Sequence, residues 1–406
     1  MKTVLAMVIA LVAVPSVVLA QADSVRTTPK ATAQKPDSGL VQNGVYNRPF
    51  ITSVARTSIG GYVEGNTNYR VTDGISDGFS TELRRFNIFL FSSLGPRLRL
   101  ISELEFEHGT DEISLETALI DFEVSPSFVL RAGILLPPIG AFNANHDSPR
   151  WDFIDRPIVS TEIIPATLSE VGFGAHGRLY PGRVTVTYDT YLTNGLTDGV
   201  ILNNRGRTSL AAGKNAGQFE EDNNGSPMLS GRLAISRRRV GEFGLSYYGG
   251  IYNKFAVEGV TVDRKRRLSI VALDGNTRIG RVELRGEFAA ASIDVSDDLA
   301  EVFGRRQSGW HLDAVMPVYR PRIAGLPDAI VSLDLRLEQA DFNRGRFAST
   351  GESIGDDTRS VVAGASFRPV AGTVFKANYR RQWTRDLLNN APARLGAIQF
   401  GFATYF

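Results

Sequence analysis

The sequence predicts an all-β protein, a single transmembrane antiparallel β-barrel of about sixteen strands. Three observations predict it. From Thr57 to the end, apolar and polar residues alternate with a period of two over segments of roughly ten to fourteen residues. The connections between those segments alternate between tight turns and long polar stretches. Beyond residue 20, every apolar run is broken by a charge or a glycine well short of the ~20 residues that a spanning helix needs.

Composition narrows the functions. The chain has 406 residues with 45 Lys and Arg against 43 Asp and Glu. A formal net charge of +2 leaves no basic excess to neutralise a run of phosphates, so no nucleic-acid partner is expected. The absence of cysteine removes disulfide frameworks, thiol nucleophiles, zinc ribbons and iron-sulfur clusters. Four widely separated histidines, His108, His146, His176 and His311, supply a metal site poorly, and no cofactor is expected.

Residues 1–20 read as a secretory signal. Lys2 gives a positive start, Val4 to Val14 form a short apolar run, and small residues allow cleavage after Ala20 or Ala22. Pro15 ends that run before it could span a membrane. Residues 21–55 are rich in Thr, Ala, Pro and Gln without apolar period, which predicts a flexible periplasmic leader. Residues 56–406 form the barrel.

Its segments are 57–70, 81–94, 97–107, 112–124, 127–137, 169–180, 182–194, 228–238, 242–253, 264–273, 277–291, 308–319, 328–341, 358–368, 372–384 and 394–406. In 97–107, Leu98, Leu100, Leu104 and Phe106 share one face; Arg99, Glu103, Glu105 and Glu107 share the other. In 328–341, Val331, Leu333, Leu335 and Leu337 oppose Ser332, Asp334, Arg336 and Glu338. Tight turns are expected at Gly95-Pro96, Ser125 to Ser127, Tyr180 to Gly182, Val240-Gly241, Asp274-Gly275-Asn276 and Pro369 to Gly372; 138–168 and 195–227 are long and polar.

A soluble sandwich also alternates, so strand length and connection pattern decide. Lipid offers no partner to an open sheet edge, and the sheet must close on itself. The apolar parity then faces hydrocarbon and the polar parity faces water. The inverse would put arginines in lipid, at roughly 2–4 kcal/mol each near the midplane. Sixteen strands enclose an interior too wide for wall side chains to fill, so an aqueous channel is expected.

Ile398, Phe400, Phe402 and Phe406 share one parity of the last segment, and that aromatic ending resembles the signal by which outer-membrane proteins reach the barrel-assembly machinery. Trp383 and Tyr405 suit interfacial girdles.

One stretch carries a family resemblance. Glu82-Leu83-Arg84-Arg85-Phe86, Leu104-Glu105-Phe106-Glu107, Ala118-Leu119-Ile120-Asp121-Phe122 and Leu130-Arg131-Ala132-Gly133 through Pro137, continuing to Glu170-Val171-Gly172-Phe173, resemble the phosphate-selective porin O and P family. The resemblance covers a quarter to a third of the chain. It implies a sixteen-stranded barrel, usually a homotrimer, with the third external loop folded inward as a constriction and small hydrophilic solutes or inorganic anions such as phosphate passing through. In this chain that loop is 138–168, with candidate constriction residues Asp147, Arg150, Asp152, Asp155 and Arg156 beside His146, Glu162, Trp151 and Phe153.

Parity nominates Arg85, Arg99, Glu103, Glu105, Arg131, Arg178, Arg281, Arg285, Arg336, Lys376 and Arg380 as lumen-lining, with Arg232 also among the cations. Family members specific for phosphate place lysines near the constriction, whereas here no lysine lies between Lys35 and Lys214. Lumen acids such as Glu64, Glu170, Asp189, Glu283, Glu287, Asp334 and Glu338 nearly cancel the arginines, which predicts a weakly selective diffusion pore rather than a phosphate-selective one. Two other readings are an outer-membrane barrel enzyme hydrolysing lipids or peptides, for which His146-Asp147-Ser148 is a poor constellation without a Gly-x-Ser-x-Gly elbow, and a secreted β-rich surface-binding protein.

Overall fold

The computed structural model describes residues 48, 50–51, 56–214, 219–299 and 301–406. The signal at 1–20 and nearly all of the leader at 21–55 lie outside the described residues.

Sixteen antiparallel strands close into a barrel: β1 (Thr57–Thr72), β2 (Phe79–Gly95), β3 (Leu98–Glu107), β4 (Glu112–Ser125), β5 (Phe128–Leu135), β6 (Glu170–Leu179), β7 (Thr185–Thr193), β8 (Met228–Arg237), β9 (Gly241–Ile251), β12 (Arg267–Ile279), β13 (Val282–Ile293), β14 (Arg306–Tyr319), β15 (Ile330–Asp341), β16 (Asp357–Arg368), β17 (Thr373–Thr384) and β18 (Ala393–Tyr405). Two short strands, β10 (Ala256–Val257) and β11 (Val260–Thr261), make a separate hairpin in the connection between β9 and β12. Each barrel strand pairs with its neighbour in sequence, and β1 pairs with β18 to close the ring, Tyr62 opposite Tyr405 and Tyr69 opposite Ile398. Closure leaves no unpaired edge.

The wall is inverted relative to a water-soluble protein. Along β15, Leu333 is 50% exposed and Leu335 42%, while between and beyond them Asp334, Arg336 and Glu338 are 1–3% exposed. Along β8 and β9, Leu233, Ile235, Phe243 and Leu245 are exposed, and Arg232, Ser236, Glu242 and Ser246 are buried. An aqueous solvent on the outer face would impose the opposite pattern.

Strand ends fall within about three residues of the sequence expectation, with one exception. The turn expected at Asp274-Gly275-Asn276 is instead formed at Gly280-Arg281, where Gly280 takes a φ of +60°. Asp274 is consumed as a buried partner of Arg232, and Gly275 stays in the ladder opposite Gly286. A Cβ on Gly275 would sit 2.8 Å from the Phe243 ring, so this glycine serves close packing rather than reversal.

Candidate functional site

The buried parity is not uniformly polar. Toward the tight-turn end it carries charge, with Asp274 on β12 and Glu283, Arg285 and Glu287 on β13. Toward the long-connection end the same strands present Leu268, Ile270, Ala272, Ala289, Ala291 and Ile293, all buried. Against them pack Ile139, Val159, Ile163, Ile164 and Leu168 of the 136–169 connection and Leu196, Val200 and Leu210 of the next long connection. Water therefore does not line the whole polar-parity wall, as alternation alone implied. The alanines and isoleucines at inward positions were the available signal.

The 136–169 connection is bonded to wall groups of the buried parity on many strands. Gly140 takes a φ of +64°, and a Cβ there would lie 2.1 Å from Glu287 Oε2. Glycine thus lets that oxygen accept from the Ala141 amide at 2.9 Å. Glu287 Oε1 also accepts from Ser160 Oγ at 2.6 Å. Ser246 Oγ on β9 accepts from Gly140 N at 2.9 Å, Asn378 Oδ1 on β17 accepts from Ile154 N at 2.9 Å, and Glu338 Oε2 on β15 accepts from Ile158 N at 2.9 Å.

The five loop charges nominated from sequence are placed as follows. Asp147 is buried; it accepts from Arg48 at 3.2 Å and from the Tyr405 hydroxyl at 2.7 Å. Arg150 is half-buried, donating to Tyr405 Oη and Asn145 Oδ1 at 2.9 Å each. Asp152 is held by Arg368 on β16 at 2.8 and 3.0 Å. Asp155 accepts from Gln399 at 2.9 Å, with Arg84 and Arg380 each 3.4 Å away. Arg156 is half-buried, and its Nε and Nη2 have no hydrogen-bond partner among the described residues. Tyr405 thus sits on the inner parity, opposite Phe402 and Phe406, rather than in an interfacial girdle; its hydroxyl is engaged by two loop charges.

The nominated wall residues are mostly ion-paired. Arg131 binds Asp121 through two bonds of 2.7 Å, and Arg336 binds Asp313 in the same fork geometry. Arg85 lies 3.1 Å from both Glu64 and Glu105. Glu103 accepts from Arg48 and from Asn87 at 2.7 Å each. Arg99 pairs with Glu123, Arg285 with Glu283, and Arg380 with Glu338 at 2.9 Å. Lys376 donates to the carbonyls of Ser148 and Phe153, both at 3.0 Å. Arg178 lies half-buried on the inner parity of β6. Arg281 does not line the wall: it is exposed in the turn after β12, a direct consequence of the displaced turn.

Sequence reasoning missed Arg48, in the stretch read as leader, which is buried between Glu103 and Asp147 with its guanidinium 3.4 Å from the centre of the Phe89 ring. It also missed the acids Asp121 and Asp313 as buried fork partners. Glu103, Glu116 and His146 converge with their donor atoms within 4.8 Å of one another. Arg48 already supplies a positive charge to Glu103, so the cluster reads as a compensated network.

No known protein-family model matches the chain. A 146-residue stretch is 34% identical to an uncharacterized protein of Aquifex aeolicus (strain VF5), covering 34% of this chain and 32% of that protein, so the match spans about a third of the relative's length. Among solved structures, the outer membrane channel DcaP of Acinetobacter baumannii superposes with a TM-score of 0.54 at 10% identity, covering 88% of this chain and 99% of that one. An anion-selective porin from Comamonas acidovorans gives 0.52 at 12% identity over 86% and 99%. The trimer form of OmpT, an outer membrane protein of Vibrio cholerae, gives 0.52 at 11% identity over 87% and 100%. At these identities the likeness is one of fold.

Proposed function

We propose that the chain is an outer-membrane porin, a passive diffusion channel for small hydrophilic solutes and ions, exported by the signal at 1–20. One observation carries the reading: a closed cylinder whose exposed parity is apolar and whose buried parity is charged, arranged as hydrocarbon outside and water inside require. The likeness in fold to outer-membrane porins and channels supports it.

In this reading 138–168 is the third external loop, folded inward to narrow the passage. Its bonds to buried-parity groups on β9, β13, β15, β16, β17 and β18 support that placement. Asp147, Arg150, Asp152, Asp155 and Arg156 then shape the constriction, and Arg85, Arg99, Glu103, Glu105, Arg131, Arg178, Arg285, Arg336, Lys376 and Arg380 belong to the wall. The fork pairs neutralise Arg131 and Arg336 locally, which favours weak ion selectivity over a phosphate filter. Membership of the phosphate-selective O and P family rests on Thr81 to Phe142, and a homotrimer on the family resemblance together with the trimeric form of the Vibrio protein. Targeting to the assembly machinery rests on Phe406.

The test is a planar bilayer with a salt gradient. Stepwise channels with a reversal potential near zero are expected. A strong anion preference abolished by Arg131 and Arg178 substitution would overturn the weak selectivity, and absence of channels would overturn the porin itself. Lipase and protease assays on the same preparation test the enzymatic alternative.

A further inference from the structure

At the tight-turn rim, the turn after β12 and the end of β14 border a recess of about 480 Å³. Its lining holds three arginines, Arg278, Arg281 and Arg320, with Tyr319, Pro317 and Val318, and no acid. All three arginines are exposed. Arg278 reaches Glu283 at 3.5 Å; Arg281 and Arg320 have no ion-pair partner among the described residues. Tyr319 is 62% exposed, and the apolar side chains Ile279, Val318 and Met316 lie exposed on the strands running away from the recess into the apolar band.

We propose that this recess binds the phosphate of an anionic glycerophospholipid in the membrane leaflet at the tight-turn side. The inference rests on the membrane reading above, since it takes the exposed apolar parity to face acyl chains. Uncompensated guanidinium groups beside a hydrocarbon-facing strip fit one chemistry: a phosphodiester that accepts forked hydrogen bonds while its own chains cover Ile279 and Val318. Tyr319, apolar in body and polar at its tip, sits where headgroup and acyl region meet. A free anion would satisfy the arginines but leave the apolar strip uncovered, and a zwitterionic headgroup would bring its own cation against three others.

Native mass spectrometry of the full chain released from detergent tests this with three probes: dihexanoyl phosphatidylglycerol, dihexanoyl phosphatidylcholine and inorganic phosphate. Retention of the phosphatidylglycerol adduct is expected to exceed that of phosphatidylcholine by about tenfold or more, and to fall by about thirtyfold in the exposed double variant R281Q/R320Q, as two basic groups near an anionic headgroup imply. R264Q, in a long connection at the other rim, should change nothing. Equal retention of the two lipids, an undiminished adduct in the double variant, or inorganic phosphate retained as well as phosphatidylglycerol would each overturn the lipid site. Heat-modifiable migration and channel conductance are read on the same samples. A conducting barrel blind to lipid charge sinks this site alone, whereas a chain that never forms a heat-modifiable barrel takes the membrane reading with it.

Discussion

Arg336→Met should destabilise the barrel far more than the double variant Arg336→Met/Asp313→Leu. In the wild type the Arg336 guanidinium forks onto Asp313 through two 2.7 Å bonds, with side chains 1% and 2% exposed. Its remaining Nη1 donates to the Asp155 carbonyl at 2.7 Å, and the group lies 4.3 Å from the Phe153 ring. Removing the arginine alone strands a buried carboxylate, and breaking a buried pair from one side costs about 3–5 kcal/mol. Removing both charges leaves chiefly the loss of the bond to Asp155, about 1–2 kcal/mol. The double variant should therefore be more stable than the single one by about 2–3 kcal/mol. Urea unfolding of the barrel in lipid vesicles, followed by fluorescence, measures it. In the bilayer, the single variant should also move the reversal potential toward cations, since Asp313 is left uncompensated. If single and double variants unfold at the same urea concentration, Arg336 and Asp313 are not energetically paired and the wall is not charge-compensated at this position.

Other outcomes follow from the same contacts. Lys376→Met removes the donor to the Ser148 and Phe153 carbonyls, so amides of 148–156 should exchange with solvent faster by about tenfold or more, read by hydrogen-exchange mass spectrometry. Gly133 has a φ of +124° and a Cβ there would lie 2.2 Å from the Ala118 carbonyl oxygen, so Gly133→Ala should cost about 2 kcal/mol or more in urea unfolding. Phe406 exchanges backbone bonds with Gly61 and stacks on Phe86, so its deletion should lower the heat-modifiable fraction in cells more than in a refolding reaction with purified protein. Asp263, in the connection between β9 and β12, is held below the ordinary aspartate range first by its bonds from Arg266 at 2.7 and 3.1 Å. A depressed folded value means this latch is intact at neutral pH and is lost as pH falls through that value, below the ordinary aspartate one. Hydrogen exchange of 253–266 against pH checks it.

Much of the barrel was legible because lipid and water select side chains one residue at a time. Leu333, Asp334, Leu335 and Arg336 declare their sides of the wall without any knowledge of neighbours. The interior was legible only in outline. Parity put Arg131 and Arg336 on the inner side, but nothing local marks Asp121 and Asp313 as their partners, because each acid sits on an adjacent strand at a register that only pairing fixes. Asp274-Gly275-Asn276 shows the opposite failure. Its residues have turn chemistry, yet the buried demand of Arg232 for a carboxylate and the packing of Phe243 keep them in the ladder.

By itself the sequence determined the strand count, the face each strand turns to lipid, and the two unlike rims, since those follow from residue-by-residue solvation and from turn chemistry. Only the tertiary structure decided which charges cancel, that Arg48 and Tyr405 join the network around Asp147, and that Ile163 and Ile164 pack with Leu268, Ile270 and Ala291 of the buried parity. Those contacts join positions tens to hundreds of residues apart. They exist only once the ring has closed and brought facing walls within reach of the same loop.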